Sequence, residues 1–420
     1  MKILKLFVFL FITVSAVSQN RYMVSGTISD KENNEPLPFA SVTLKNHAVG
    51  TISNEFGKFD FYIPESMRND TISVTFIGFN TYEIALKDVS GKLDIKLQPA
   101  NNLLDEVILT DLGPLDYIKK ALENRSENYP QQTYESLAYY REKFIENGKI
   151  IDKKEAVFKT YYFKEGDSVK NSHQLLLYRP AENPQKFQFM KEWIEKKQEK
   201  ERKKAEKKGK EYNTEDDYDG TIDVNFGGPK SVIDLDINNG KEENNFLNPK
   251  YFKKYEYTFG DETYLDGERL VCVKFKAKKS IDYVKDQGKI LISKENYAIV
   301  LIGTKGKFNI PFIVKPILFA VGISIKDPTF SQAVQYQKFK GLWYPKLFRW
   351  DADVKLVKRH MFDDNEISKI NIGQVFSINN IYMDATRIPE EKVFDPNNKM
   401  EDQIHNDLNL DWQEINTVRD

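Results

Sequence analysis

From Tyr22 to Pro99 the chain runs through short stretches in which apolar and polar residues alternate: "YMVSGTISD", "ASVTLKN", "GKFDFYIP", "TISVTFIGF", "TYEIALKD" and "KLDIKLQP", divided by Gly, Asn, Asp and Pro. Alternation at period two puts every second side chain on one face of a strand, and turn residues at this spacing mark a small β-sandwich. Its inner faces are predicted to carry Val24 and Ile28, Val42 and Leu44, Phe59 and Phe61, Ile72, Val74 and Phe76, Ile84 and Leu86, and Leu93, Ile95 and Leu97. Pro36 and Pro38 cannot donate to a ladder, so "KENNEPLPF" predicts a surface loop entering the second strand. Within "TISNEFGKFDFYIP", Ser53, Asn54 and Glu55 are turn formers and Gly57 is free to take positive φ. Phe59, Phe61 and Ile63 then alternate with polar neighbours, which predicts a tight turn feeding a half-buried strand.

The texture changes after "LTDLGPLD". "LDYIKKALENRSENY" places Leu115, Ile118, Ala121 and Leu122 on one face of a short helix opened by Asp111 or its neighbours. Long strand pairs follow, with turns at Asn147-Gly148, Asp266-Gly267 and Glu295-Asn296, and further strands in "HQLLLYRP", "AVQYQKFKGLWYPKLFRWDADVKLV" and "ISKINIGQVFSINNIYM". Roughly nine to eleven strands, often apolar on both faces, predict an antiparallel sheet that curls. "KEWIEKKQEKERKKAEKKGKEYNTEDDYDG", residues 191–220, lacks an apolar face beyond Trp193 and Ile194 and predicts a solvated helix followed by an acidic stretch. Its lysines interleave with glutamates at helical spacings, which favours pairing along the helix over an anion-binding patch. The tail from Asp384 is acidic and turn-rich, with Leu408, Leu410 and Trp412 as the residues able to dock.

The fold class is therefore mostly β: an N-terminal Greek-key sandwich and a larger curled antiparallel sheet, or half-barrel, with a few helices. The expected organisation is a signal peptide at 1–18, the sandwich at 22–109, a helical linker at 110–130, the curled sheet at 131–385 with its charged insert at 191–220, and an acidic tail at 386–420. A chain of 420 residues is long enough for two cores. Sixty-two Lys and Arg against 63 Asp and Glu give a formal charge of -1, so no global basic field draws in nucleic acid. "MKILKLFVFLFITVSAVSQN" joins a short basic start, an apolar core and small residues at Ala16 to Ser18, which predicts an export signal cleaved near Ser18; a retained N-terminal anchor is the alternative. Cys272 is the single cysteine, so no internal disulfide can form and none stands at the signal junction to carry a lipid. In "LVCVKFKA" it reads as a small packing residue.

The series "VSGTISDKENNEPLPFASVTLKN", "GTISNEFGKFDF", "ISVTFIGFNTYEIAL" and "LLDEVIL" resembles the carboxypeptidase-like regulatory domain, a transthyretin-like sandwich of bacterial envelope proteins. The resemblance covers residues 22 to 109, places Gly57 and Phe59 in the family's turn with Asn54 where Asp is more usual, and implies a non-catalytic accessory module. "DGERLVCVKFKAK", "GKILISKENYAIVLI" and "KGLWYPKLFRWD" are similar in ribbon order to LolA-like periplasmic lipoprotein-carrier half-barrels. That likeness implies a concave sheet closed by helices around an apolar cavity, and carries no signature residues.

No catalytic constellation stands out. His47, His173, His360 and His405 are isolated in sequence, and the nearest metal pair would be His360 with Asp363. There is no G-x-S-x-G elbow, and Gly227-Gly228 reads as a turn rather than a phosphate cradle. Three readings stand. The first is an exported, non-enzymatic envelope protein, periplasmic or outer-membrane associated, whose sandwich docks to a partner or glycan and whose curled sheet binds an apolar or lipid-like ligand without a cofactor. The second is a hydrolase with a dispersed site, and the third an accessory relative of TonB-dependent transport systems. "FNIPFIVKPILFAVGISI" is either a buried connector or a flap over the sheet, with Phe312, Ile313, Ile317, Leu318 and Phe319 contacting the ligand.

Overall fold

The computed structural model describes residues 21–100, 111–166, 168–189, 191–209, 227–237, 246–278, 284–308, 322–359 and 364–418. The alternating N-terminal runs form β1 (Arg21–Asp30), β2 (Ser41–Leu44), β3 (Gly50–Ile52), β4 (Lys58–Pro64), β5 (Thr71–Thr75), β6 (Tyr82–Ala85) and β7 (Leu93–Leu97). They make two facing sheets, ordered β4-β1-β7 and β3-β2-β5-β6. Each pairing is antiparallel except β1 with β7, which run parallel with Ile28 beside Ile95. Val24, Ile28, Val42, Leu44, Phe59, Phe61, Ile72, Val74, Ile95 and Leu97 are buried between the sheets, and Phe76 and Ile84 are half-buried against them.

The turn before β4 is held by one side chain. Buried Asn54 accepts hydrogen bonds at Oδ1 from the backbone N–H groups of Phe56 and Lys58, each at 2.9 Å. Gly57 sits at φ 71°, and its carbonyl accepts from Ile28 N at 2.8 Å. A Cβ there would lie 2.3 Å from the Ile28 carbonyl oxygen, so geometry and space both call for glycine.

The larger sheet contains β8 (Tyr134–Glu146), β9 (Lys149–Glu165), β10 (Ser168–Pro180), β11 (Tyr255–Phe259), β12 (Thr263–Leu265), β13 (Glu268–Ala277), β14 (Val284–Ser293), β15 (Ile299–Phe308), β16 (Ile323–Phe339), β17 (Leu342–Lys358) and β18 (Glu366–Tyr382). The order is β10-β9-β8-β18-β17-β16-β15-β14-β13-β11, with β12 on β13, so the sheet is curled and open rather than closed. Asn147-Gly148, Asp266-Gly267 and Lys340-Gly341 all take positive φ at both positions, the geometry that matches strand twist in two-residue hairpins. The predicted Glu295-Asn296 turn lies between β14 and β15, with Tyr297 at φ 63°.

One face of this sheet is covered by α1 (Pro114–Glu123), α2 (Arg125–Asn128) and, beyond the charged α3 (Lys191–Lys207), by α4 (Lys230–Ile233). α1 begins at Gly113, whose N–H donates to Asp116 Oδ2 at 3.1 Å, and buries Tyr117, Ile118 and Ala121; Leu115 and Leu122 are half-buried. The space beneath the helices, implied by the half-barrel resemblance to be an apolar cavity, is occupied by aromatic side chains. Tyr134 stacks on Tyr162 at 4.3 Å, Tyr129 meets Tyr336 edge-on, and Tyr336 donates to buried Asp236 at 2.8 Å. α3 is solvated and laced by Lys203–Glu199, Lys196–Glu192 and Lys191–Glu195 pairs, as its charge pattern predicts.

The opposite face receives the sandwich and the C-terminal segment. Ile52 of β3 packs with Tyr139, Leu347, Val375 and Val418, flanked by Phe39 and Trp412. Asn416 is the central rivet: its Oδ1 accepts from Tyr62 N at 2.7 Å, and its carbonyl accepts from Asn379 Nδ2 at 2.6 Å. Buried Arg141 donates to the Val418 carbonyl at 2.8 Å and to Glu55 of the sandwich turn. Further bonds run from Ile381 N to Ala48 O and from Gly78 N to Tyr264 O. The tail differs from expectation. Leu410 and Trp412 are half-buried and Leu408 is half exposed, whereas Ile388, Phe394, Met400, Ile415 and Val418 are the buried anchors. These anchors stand singly among polar turns, with no period to announce them. Among the described residues no helix is long and apolar enough to cross a membrane.

Candidate functional site: a lysine-lined groove

Beyond the area covered by the sandwich, the same sheet face is open. The ladder register lines up Thr258, Lys274, Lys289, Gly303, Ala333 and Arg349 in one row across β11, β13, β14, β15, β16 and β17. The next row is Glu256, Lys276, Gln287, Lys305, Ser331 and Asp351. Together they line a cavity of about 730 Å³. A neighbouring cavity of about 820 Å³ continues along the strands past Lys278, Lys307, Thr329 and Asp353. Small residues at Gly303, Ala333 and Ser331 leave the floor low, and the long lysine stems stand beside it as walls.

The electrostatics are unbalanced. Lys274 and Lys289 are direct cross-strand partners, and like charges so placed repel. Lys274, Lys276, Lys289 and Lys305 are all exposed, and none has a hydrogen-bond or ion-pair partner among the described residues. Of the carboxylates nearby, Glu256 stands opposite Lys276 across the ladder, and the others are engaged elsewhere. Asp351 accepts from Arg349, and burial nevertheless holds its carboxyl above the usual value. Asp286 is likewise pushed up by burial and accepts from Tyr255 at 3.3 Å. Arg349 also stacks over the Phe39 ring at 4.7 Å, so the groove ends against the sandwich. Cys272 lies buried one row away, its thiol pushed up by burial, a packing residue rather than a nucleophile.

Phe312, Ile313, Ile317, Leu318 and Phe319 lie outside the described residues, as do His360, Asp363 and the export signal. The chain between β15 and β16 joins the two strands that floor the groove. Of the remaining histidines, His47 lies 3.4 Å from Asp70, and His173 is buried in contact with Thr160 Oγ1 at 3.0 Å. Sequence reasoning missed the lysine rows. Their signal was present in "VKFKAKK" and "GKILI", where lysines take the polar phase of alternating strands, but only the register shows that they face one another.

The model of the CarboxypepD_reg-like family matches residues 24–109, the span of the sandwich. That segment is a CarboxypepD_reg-like domain. Over 108 residues, 26% of this chain, the sequence is 30% identical to TonB-dependent receptor P3 of Formosa agariphila. The match takes in 10% of that receptor, so this chain shares a tenth of its length. Among solved structures, the chain is similar to a Vibrio parahaemolyticus domain described as an outer membrane lipoprotein-sorting protein, with a TM-score of 0.28, 7% identity and coverage of 66% of this chain and 95% of that one. It is also similar to a DUF1329 family protein from Desulfovibrio piger, with a TM-score of 0.25, 11% identity and coverage of 66% and 96%. In this chain the CarboxypepD_reg-like domain supplies Phe39 to the end of the groove and Glu55 to Arg141.

Proposed function

We propose that this is an exported, non-enzymatic binding protein of the bacterial envelope, in which the lysine-lined groove takes an amphiphile with an anionic headgroup and the CarboxypepD_reg-like domain serves as a docking module. The observation that carries this reading is the opposed, unpaired Lys274–Lys289 couple with Lys276 and Lys305 beside it. Such a couple costs about 0.2 to 1 kcal/mol in an empty sheet. An anion seated between the ammonium groups turns that repulsion into charge-assisted hydrogen bonding. The lysine stems and the small-residue floor offer apolar contact to a chain running along the groove. The basic, apolar start of the sequence and the match to a domain shared with a TonB-dependent receptor support the envelope location. That receptor also favours a second reading, in which the domain docks this protein beside an outer-membrane transporter.

The test uses the mature chain and a dansylated undecanoic acid as an anionic acyl probe. Wild-type binding is expected to weaken about tenfold in Lys274→Gln/Lys289→Gln, and to weaken with added salt. Competition by phosphatidylglycerol but not by inorganic phosphate assigns the headgroup to a lipid; competition by phosphate alone assigns it to a free anion. A wild type that binds neither the probe nor phosphate, or a double variant that binds as well as wild type, refutes the proposal.

A further inference from the structure

A second cavity, of about 630 Å³, opens between the sandwich and the curled sheet. Its sandwich wall is the outer face of β2 and β5, where the phase opposite the core residues Val42 and Val74 carries Ser41, Thr43, Ser73 and Thr75. Ser41 pairs across the ladder with Thr75, and Thr43 with Ser73, so four hydroxyls form one patch. Opposite them, β16 and β17 present Gln335, Gln337, Trp343 and Lys346. Pockets where two folded units meet are common sites for small polar ligands.

Two donors in this cleft have capacity to spare. The buried Trp343 indole N–H has no hydrogen-bond partner among the described residues. The ammonium of Lys346, itself buried, makes one hydrogen bond among the described residues, to the Ile378 carbonyl at 3.1 Å, out of the three it can donate. Buried donors of this kind are costly unless an acceptor reaches them. Several charged groups around the cleft are already engaged: Lys45 pairs with Glu83 at 2.8 Å, Lys338 with Glu268 at 3.0 Å, and Asp266 accepts from Thr81 at 2.9 Å, while Glu295 and Lys340 stand at its rim. What is left for a ligand is mostly uncharged: hydroxyls and amides that both donate and accept, two buried donors in need of oxygen, and the half-buried ring of Phe339.

We infer that this cleft binds a neutral carbohydrate, one or more sugar units of an envelope glycan, held between the two parts of the protein. Sugar hydroxyls donate and accept as Ser, Thr and Gln side chains do, and the apolar C–H face of a pyranose ring suits an aromatic platform. A peptide fits less well. Strand addition needs an open sheet edge, and β2, β5 and β17 are each paired on both sides, as is β16 from Thr329 to Gln335. The site is separate from the lysine rows and depends mostly on hydroxyl and amide contacts, so salt should weaken it far less than the lysine groove.

The experiment is calorimetric titration of the mature chain with a panel of neutral tetrasaccharides built from glucose, xylose, mannose or galactose, followed by Trp343→Phe and Ser73→Ala/Gln337→Ala. Trp343→Phe keeps an aromatic ring but removes the N–H and part of the indole from the core, so its folding is checked by thermal melting, whereas Ser73 and Gln337 lie outside the apolar cores and Ser73→Ala/Gln337→Ala carries the test if the Trp343 variant is destabilised. At least one neutral tetrasaccharide should bind, with a loss of about tenfold or more in each variant, while Lys274→Gln/Lys289→Gln binds it as wild type does. No binding across the panel, unchanged binding in both cleft variants, or preference for acidic over neutral sugars overturns the inference and leaves the lysine groove untouched.

Discussion

Lys346→Met should make this protein more stable, and the gain should depend on pH in one direction. Lys346 is 1% exposed, and a Cβ added at Gly50 would sit 3.2 Å from its Nζ, so the amine lies in the joint between sandwich and sheet. Burial lowers its pKa from 10.5 to about 7. Below pH 7 both folded and unfolded chains hold the proton, and the folded state carries the full cost of a desolvated ammonium. Between about 7 and 10.5 only the unfolded chain holds it, so stability rises with pH through that window. A displacement of this size corresponds to at most about 5 kcal/mol. Methionine keeps the length and removes the charge, but leaves the Ile378 carbonyl without its donor at a cost of about 1 kcal/mol. The expected net gain is about 2 to 4 kcal/mol at pH 6, shrinking to nothing or slightly below by pH 10.5. Urea unfolding of wild type and variant at pH 6, 8 and 10 reads the difference directly, because every other titrating group is common to both. A variant no more stable than wild type at pH 6, or a difference that does not move with pH, would show that the amine is not held in a dry site.

Gly57→Val should cost about 1 to 3 kcal/mol, because a β-branched residue resists φ 71° and its Cβ meets the Ile28 carbonyl; an unchanged melting curve would contradict the turn geometry. Asn54→Ala should cost about 2 kcal/mol in the same melt, since two backbone donors lose their acceptor. Burial lowers His173 to about 3, so the folded chain refuses a proton that the unfolded chain takes up near 6.5, and stability drains away as pH falls between those values. His173→Gln should lose about 3 kcal/mol less than wild type between pH 6.5 and 4; parallel pH curves would place the imidazole in contact with water.

The sandwich was legible because one face of each strand is buried and the other is wet, which imprints period two on "FDFYI" and "ISVT" without reference to any distant residue. The hairpins at Asn147-Gly148 and Asp266-Gly267 were legible for an equally local reason, the need for positive φ at both turn positions. What period two cannot carry is which strand lies beside which. Lys274 and Lys289 belong to separate runs, and nothing in either announces that they stand opposite each other. Ser41, Thr43, Ser73 and Thr75 read simply as the wet side of a sandwich; only the docking of β16 and β17 makes them a wall. Tyr117 was passed over because the helix pattern was sought in aliphatic residues, yet it is buried against Phe259 and Tyr297. The buried anchors of the tail follow the shape of the surface beneath them and no rule of spacing.

The place of β18 between β8 and β17 sets an order of events during synthesis. The sandwich can close once Leu97 has emerged, since its partners are all local. The β8–β9–β10 meander forms early too, but the free side of β8 must wait for a strand whose residues Ile370 and Tyr382 face Glu146 and Glu135. Pairings so distant along the chain are slow to find. Through that interval β8 is an open edge flanked by the apolar side chains of Tyr139 and Tyr140, the kind of template on which neighbouring nascent chains aggregate. The Asn416 contacts to Tyr62 and Asn379 come later still. A nascent chain stalled anywhere between β10 and β18 therefore presents a finished sandwich joined to an unfinished sheet, a substrate for holding chaperones and proteases rather than a partly working protein.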